Sequence, residues 1–154
     1  MVSVSERNAV QRAFDQFGEE SGFEKRSGSW YCRSEDVIAV SNLQKSQYGL
    51  SYYFNQGFWL RQLGAEPLPE PHRCHIRARI GQLLPSEEQQ VERLFDLGHD
   101  VSDETRIEEI TALLRDRLVP LIVRAGSLDG LRALISEGAI PAYLLTGAAQ
   151  RALG

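Results

Sequence analysis

Cys74 and His75 stand side by side in the segment Arg73-Cys74-His75-Ile76-Arg77-Ala78-Arg79-Ile80, whose alternation of apolar and charged residues is that of a strand. A thiol beside an imidazole is the pair that a cysteine nucleophile requires, the imidazole taking the thiol proton. Consecutive strand residues point to opposite faces, so these two cannot serve each other. The phase places Cys74 with Ile76, Ala78 and Ile80 on the core side, as a buried structural thiol. His75, Arg77 and Arg79 then share the other face. Three cationic or titratable side chains at a spacing of two residues form a comb that could grip a carboxylate or a phosphate by bidentate contacts. The alternative is a water-facing strand surface on which each arginine meets an acid of a neighbouring strand.

The amides Asn42, Gln44 and Asn55 pose a similar choice. They either cluster to read a ligand or satisfy backbone groups at the ends of hairpins. His72, Cys74, His75, His99 and Cys32 supply metal-ligand types, but none has the paired spacing that positions two ligands together, so no metal site is expected and no cofactor is assigned. The serine-hydrolase elbow, the Walker loop, the dinucleotide fingerprint and the zinc-protease helix are all missing. Gly126-Ser127-Leu128-Asp129-Gly130 has its serine misplaced for an elbow and reads as a helix cap. Lys45 has Leu43, not an acid or Gln, two residues before it, and Asp36 alone cannot hold a catalytic magnesium. No catalytic residue follows from the sequence.

The chain has 154 residues, 42% of them hydrophobic and 25% charged, which fits a single domain with one core. Met1 to Arg12 contains no apolar leader segment and no long apolar run follows, so a cytoplasmic protein without a membrane anchor is expected. Cys32 and Cys74 are expected to be reduced. Residues 1–85 balance at +1, whereas residues 86–154 balance at −5. Nine carboxylates fall between Glu87 and Glu109, against Arg93 and Arg106 alone. That field repels phosphate backbones and argues against nucleic acid as a partner. Only Lys25 and Lys45 are lysines among the 17 cations, a bias we attribute to genomic base composition.

These side chains need a frame. After Ser5, the residues Ala9, Val10, Ala13, Phe14 and Phe17 recur at helical intervals and Gly18 follows as a stop. Phe23–Arg26 and Trp30–Arg33 flank Ser27-Gly28-Ser29 as one hairpin; Asp36–Gln44 and Leu50–Leu60 flank Gln47-Tyr48-Gly49 as a second. A Pro-rich loop over residues 66–71 leads to the last strand at Arg73–Ile80. Beyond Pro85 the period becomes helical: Ser86 with Gln89 could form a capping box for a helix to Leu97. Ser102 opens a longer helix with Ile107, Ile110, Leu114, Leu118, Leu121 and Ile122 inward and Pro120 kinking it or starting a new one. Ser127 and Gly138 bracket another, and Pro141 begins the last. The expected fold class is α+β: an N-terminal helix, a five-stranded antiparallel meander, both within residues 1–85, and a helical region over residues 86–154 packed on one sheet face.

Gly22-Phe23, Trp30-Tyr31, Leu43-Gln44-Lys45-Ser46, the aromatic strand ending Asn55-Gln56-Gly57, and Cys74-His75 with arginines two and four residues beyond His75 occur in an order that resembles domain-of-unknown-function family 4304. Residues 8–82 carry the likeness. Gln56 departs from it, in a slot suited to an apolar residue. The resemblance implies an α+β fold and, for some relatives, a setting among bacterial toxin and immunity genes; it implies no chemistry. Two functions are compatible with these features. One is a protein-binding module, such as an immunity protein that masks a basic toxin domain, with Glu104, Glu108 and Glu109 as docking residues. The other is a small-ligand binder or an enzyme of unrecognised type, with Gln44, Asn55, His75, Arg77 and Arg79 as its site. The two make different demands: a pocket requires those polar side chains to converge on one concavity, whereas a docking module lets them disperse.

Overall fold

Two nine-residue runs rich in β-branched and aromatic side chains set up the sheet. In the computed structural model, which describes residues 7–154, Val37–Lys45 (β3) and Tyr52–Leu60 (β4) pair antiparallel along their whole length, from Val37 opposite Leu60 to Lys45 opposite Tyr52. Glu24–Arg26 (β1) and Ser29–Arg33 (β2) extend the sheet on one side and Ile76–Arg79 (β5) on the other, giving the order β1-β2-β3-β4-β5 with every pair antiparallel. The β1–β2 turn is made by Ser27 and Gly28 at φ 49° and 82°, the left-handed conformations that a tight hairpin demands.

Alternation gives this sheet two distinct faces. Trp30, Val37, Ala39, Phe54, Phe58, Leu60, Ile76 and Ala78 lie on the inner face, in the main core. The helix Ala9–Glu20 (α1) packs there, and Trp30 Nε1 donates to the Phe14 carbonyl at 3.1 Å. Asn8 caps α1 in a capping box with Gln11; Ser5 lies outside the described residues. Gly18 does not end this helix as its position suggests. It lies within it because a Cβ there would fall 1.9 Å from the Trp30 ring, and Gly22, at φ 71°, follows the actual end. Ser41 and Gln56 also face inward, fully buried, and satisfy each other: Ser41 Oγ donates to Gln56 Oε1 at 2.6 Å, and Gln56 Nε2 donates to the Gly57 carbonyl at 3.1 Å. The unusual Gln56 is thus an inner-face residue.

The remaining helices follow: Ile80–Leu83 (α2), Glu88–Phe95 (α3), Asp103–Leu113 (α4), Val119–Arg124 (α5), Leu128–Ser136 (α6) and Gly147–Leu153 (α7). Ser102, Ser127 and Thr146 cap α4, α6 and α7 through their hydroxyls. Two boundaries depart from the sequence reading, at Ser86 and Pro141, while Pro120 opens a new helix, one of the two alternatives its position offered. Pro85–Glu87 form a 3₁₀ turn, so α3 begins without a Ser86 cap. Leu114–Leu118 widen into a π-helical turn between α4 and α5; Pro120, in the first turn of α5, has no N–H to continue an α ladder. Pro141 precedes a 3₁₀ turn at Ala142–Leu144, and the last helix starts only after Thr146. Along α4 and α5, Ile110, Leu114, Leu118, Leu121 and Ile122 are buried as their spacing requires, while Ile107 is only partly buried. Among the described residues, no helix is long and apolar enough to cross a membrane.

Arg106 is the charge that burial patterning does not anticipate. Its residue is 1% exposed, and its guanidinium donates to the carbonyls of Arg93, Leu94, Asp96 and His99. These are carbonyls at the C-terminal end of α3 and in the loop beyond it, groups that a helix end leaves without backbone partners. A guanidinium can serve several at once because its donors fan out in one plane. Arg106→Met, which keeps bulk but deletes every donor, is expected to lower the unfolding free energy by about 3 kcal/mol. Arg106→Lys is expected to lose less, and urea titrations of both variants would check the order.

Candidate functional site

The outer sheet face is divided between a covered half and an open half. The Pro-rich segment between β4 and β5 folds back over the covered half, where Tyr31 donates its hydroxyl to the Pro69 carbonyl at 3.1 Å and Trp59 Nε1 donates to the Gly64 carbonyl at 3.1 Å. Tyr31, Ile38, Val40, Trp59 and Cys74 form a second, smaller core beneath it.

Cys74 therefore belongs to the outer-face cluster, not with Val10, Phe14 and Phe17. Ile76, Ala78 and Ile80 do share the main core with those helix residues. The strand phase fails at Cys74 because Pro71–Arg73 make a 3₁₀ turn and regular pairing begins only at Ile76. Gly57 makes room for the thiol: a Cβ there would fall 2.7 Å from Cys74 Sγ. Burial pushes the Cys74 thiol up to about 12, so it stays protonated at neutral pH, and Sγ contacts the Glu70 carbonyl at 3.6 Å. The neighbouring His75 is engaged elsewhere. Its Nδ1 accepts from the Leu60 N–H at 3.0 Å, replacing a ladder bond past the end of β5, and its ring lies 4.3 Å from the Trp59 ring. Neither residue is available to the other as nucleophile or base.

The open half is a polar floor built by register. Asn42 stands opposite Asn55, and Asn55 opposite Arg79. Asn55 Nδ2 donates to Gln44 Oε1 at 3.0 Å and to Asn42 Oδ1 at 3.4 Å, while Asn42 Nδ2 donates to Ser29 Oγ at 3.4 Å. One row of polar side chains thus crosses four strands, Ser29, Asn42, Asn55 and Arg79. Arg77, opposite Gly57, projects beside it, with one guanidinium nitrogen donating to the His72 carbonyl at 2.6 Å. The Arg79 guanidinium lies 3.7 Å above the Tyr53 ring, held by stacking rather than by an acid. Among the described residues, neither Arg77 nor Arg79 has a carboxylate within ion-pair distance, whereas most other arginines of the chain do. The expected alternative, arginines paired with acids of adjacent strands, does not hold for these two.

These residues enclose an open cavity of about 640 Å³. Gln44, Asn55, Arg77 and Arg79 line it together with Asn42, Tyr31, Glu70 and His72, and Glu70 lies 3.3 Å from His72 Nε2. His75 does not line it, so the comb of three contributes two teeth. The amide chain consumes some acceptors but leaves donor hydrogens, and two arginines outnumber the single lining carboxylate, Glu70, which has His72 beside it. Such a space can take an anion. It presents no paired acid and base, and among the described residues no three His, Cys, Asp or Glu side chains gather to hold a metal.

The acidic segment is less uniform in space than in sequence. Asp103 pairs with Arg12 at 3.3 Å, Glu109 with Arg93 at 3.0 Å and Glu87 with Arg117 at 3.2 Å. Glu104 and Glu108 are exposed on α4 without such partners among the described residues. Of the three acids expected to dock a partner, Glu109 is already engaged.

Fold and cavity together describe an α+β domain with a half-covered sheet. The profile of DUF4304, a domain of unknown function, matches residues 17–124, and the chain belongs to that family. No curated protein and no solved structure matches it significantly.

Two outcomes test this arrangement. Gly57→Ala is expected to cost about 1–3 kcal/mol by crowding Cys74 Sγ, and Cys74→Ala, destabilising alone, should recover part of that loss in the double variant. Recovery is partial because the new methyl also sits 3.1 Å from Val40 Cγ1; a strictly additive double-mutant cycle would contradict the contact. Burial lowers the His75 pKa below its usual 6.5. The unfolded chain then takes up the proton first as pH falls, so this contribution to stability is whole above about 6.5 and is lost as pH drops toward the lowered folded value. Denaturation of wild type and His75→Asn at pH 7.5 and 5 should show a smaller pH dependence in the variant.

Proposed function

We propose that this protein is a binding protein whose outer sheet face receives an anionic group of a small ligand, a carboxylate or a phosphate, between Arg77 and Arg79 over the amide floor. The observation that carries this reading is convergence: Gln44, Asn55, Arg77 and Arg79, from three strands, line one concavity. Its size falls within the range of small-molecule sites. Two guanidinium groups without acid partners among the described residues keep donors for an anion, Arg77 through those not used on the His72 carbonyl, and the strands beneath them fix their spacing. The role is one of recognition, since the side chains supply donors and charge but no nucleophile with an adjacent base.

A second reading, a module that docks a basic protein such as a toxin domain, draws on Glu104 and Glu108, which project from α4 into solvent. It asks nothing of the sheet. Reversal of both to Lys with unchanged association to a basic partner would remove its support.

Calorimetric titration with succinate and with inorganic phosphate tests the first reading. Arg77→Ala and Arg79→Ala are each expected to weaken binding about tenfold, the loss of one charge-assisted contact of roughly 1.4 kcal/mol. Undiminished binding in the folded double variant would move the anion site elsewhere.

A further inference from the structure

Arg79 and Gln82 line a second cavity as well as the first. This second space, about 970 Å³, opens where β4 meets α2 and α3, and its walls include Tyr52, Tyr53, Val91, Phe95, Pro141 and Tyr143. Tyr143 is 72% exposed, a large ring left in water beside other rings. Gln82 is fixed at the junction, its Oε1 accepting from the Arg79 N–H at 2.9 Å. The Arg79 guanidinium, stacked on Tyr53, thus stands on the boundary between a polar chamber and an aromatic one.

We infer that the two chambers form one composite site, and that its ligand is an amphiphilic monoanion: an aromatic carboxylate whose charged end meets Arg77 and Arg79 and whose ring enters the aromatic chamber toward Val91 and Tyr143. The inference rests on the anion site proposed above and names its ligand class. Charge selects the class. Glu88 and Glu92 border the aromatic chamber, exposed and without ion-pair partners among the described residues, so a second negative group on the far end of the ligand would be repelled. An apolar end is not, and burying it removes aromatic surface from water on both sides. The Arg79–Tyr53 stack holds the cation at the point where the ligand changes from charged to apolar.

The probes are acetate, 2-naphthylacetate and 2-naphthylmethanol, titrated by calorimetry against the whole chain, with thermal melts confirming that each variant folds. 2-Naphthylacetate is expected to bind at least about tenfold more tightly than either of the other two, since it alone engages both chambers. Tyr143→Ala, at an exposed position, should weaken 2-naphthylacetate several-fold and leave acetate unchanged; Val91→Asp should do the same more strongly. Arg79→Gln should weaken both acids. If acetate and 2-naphthylacetate bind equally, and both respond to Arg79→Gln, the anion site stands and the composite ligand is wrong. If neither aromatic-chamber variant affects 2-naphthylacetate, the composite ligand is likewise wrong. If 2-naphthylmethanol binds as tightly as the acid, or nothing binds, both readings fall.

Discussion

The nine-pair register between β3 and β4 is the constraint on which the rest of the molecule depends. A slip of one residue would turn Phe54, Phe58 and Leu60 away from the main core and put Tyr53, Asn55 and Trp59 in their place, exchanging every side chain of the central hairpin between faces. The apolar set is large enough to forbid that. With Phe54 against Phe14, Phe17 and Phe95, the inner face of β4 is anchored by rings from α1 and α3 at centroid distances of 5.7 to 6.2 Å. Once the inner face is fixed by packing, the outer face is fixed by geometry. Asn42, Asn55 and Arg79 fall into one row because their neighbours along the strands are committed to the core.

The helical half is organised differently, around polar bonds inside a dry interior. Arg106 brings a charge to the end of α3, where backbone carbonyls converge and, among the described residues, no carboxylate pairs with it. The carbonyl dipoles of a helix C-terminus are the natural complement of a cation. One side chain from the second turn of α4 thereby sets how the preceding helix ends and how the intervening loop, residues 96–102, is drawn in. The first helix meets α4, and through Phe14 the same α1 meets Trp30 and Phe54 of the sheet, so the two organising devices are joined through a single element.

Much of this frame was legible in the sequence, and each departure has its own physical cause. Period two in β3 and β4, and the stripe on α1, identify strands and helix because those residues obey a single regular geometry over many positions. Alternation with Ile76 puts Cys74 on the wrong face because it runs across the end of the strand into a 3₁₀ turn. Gly18 resembles a helix stop because glycine answers two different needs, left-handed backbone and close approach, and only the Trp30 ring shows which applies here. Arg77 and Arg79 were found from spacing alone, but that they would lack acid partners depends on what the neighbouring strands present. Arg106 gave no signal, since four carbonyl acceptors belong to backbone and leave no trace in residue identity. The amide row is intermediate: its members are visible, and their adjacency is a consequence of register.

The C-terminal segment bonds to the free edge of β5, with Ile76 bridged to Leu145 and the Thr146 N–H donating to the His75 carbonyl at 3.0 Å. A bare edge strand invites pairing with the edge of another molecule. Here the last strand is short, begins under that strap, and runs straight into α2 at Ile80, while the opposite edge, β1, is three residues long and carries Lys25 and Arg26. The sheet thus ends at both margins in short segments, one partly strapped and the other charged, features that disfavour edge-to-edge pairing between copies of the protein.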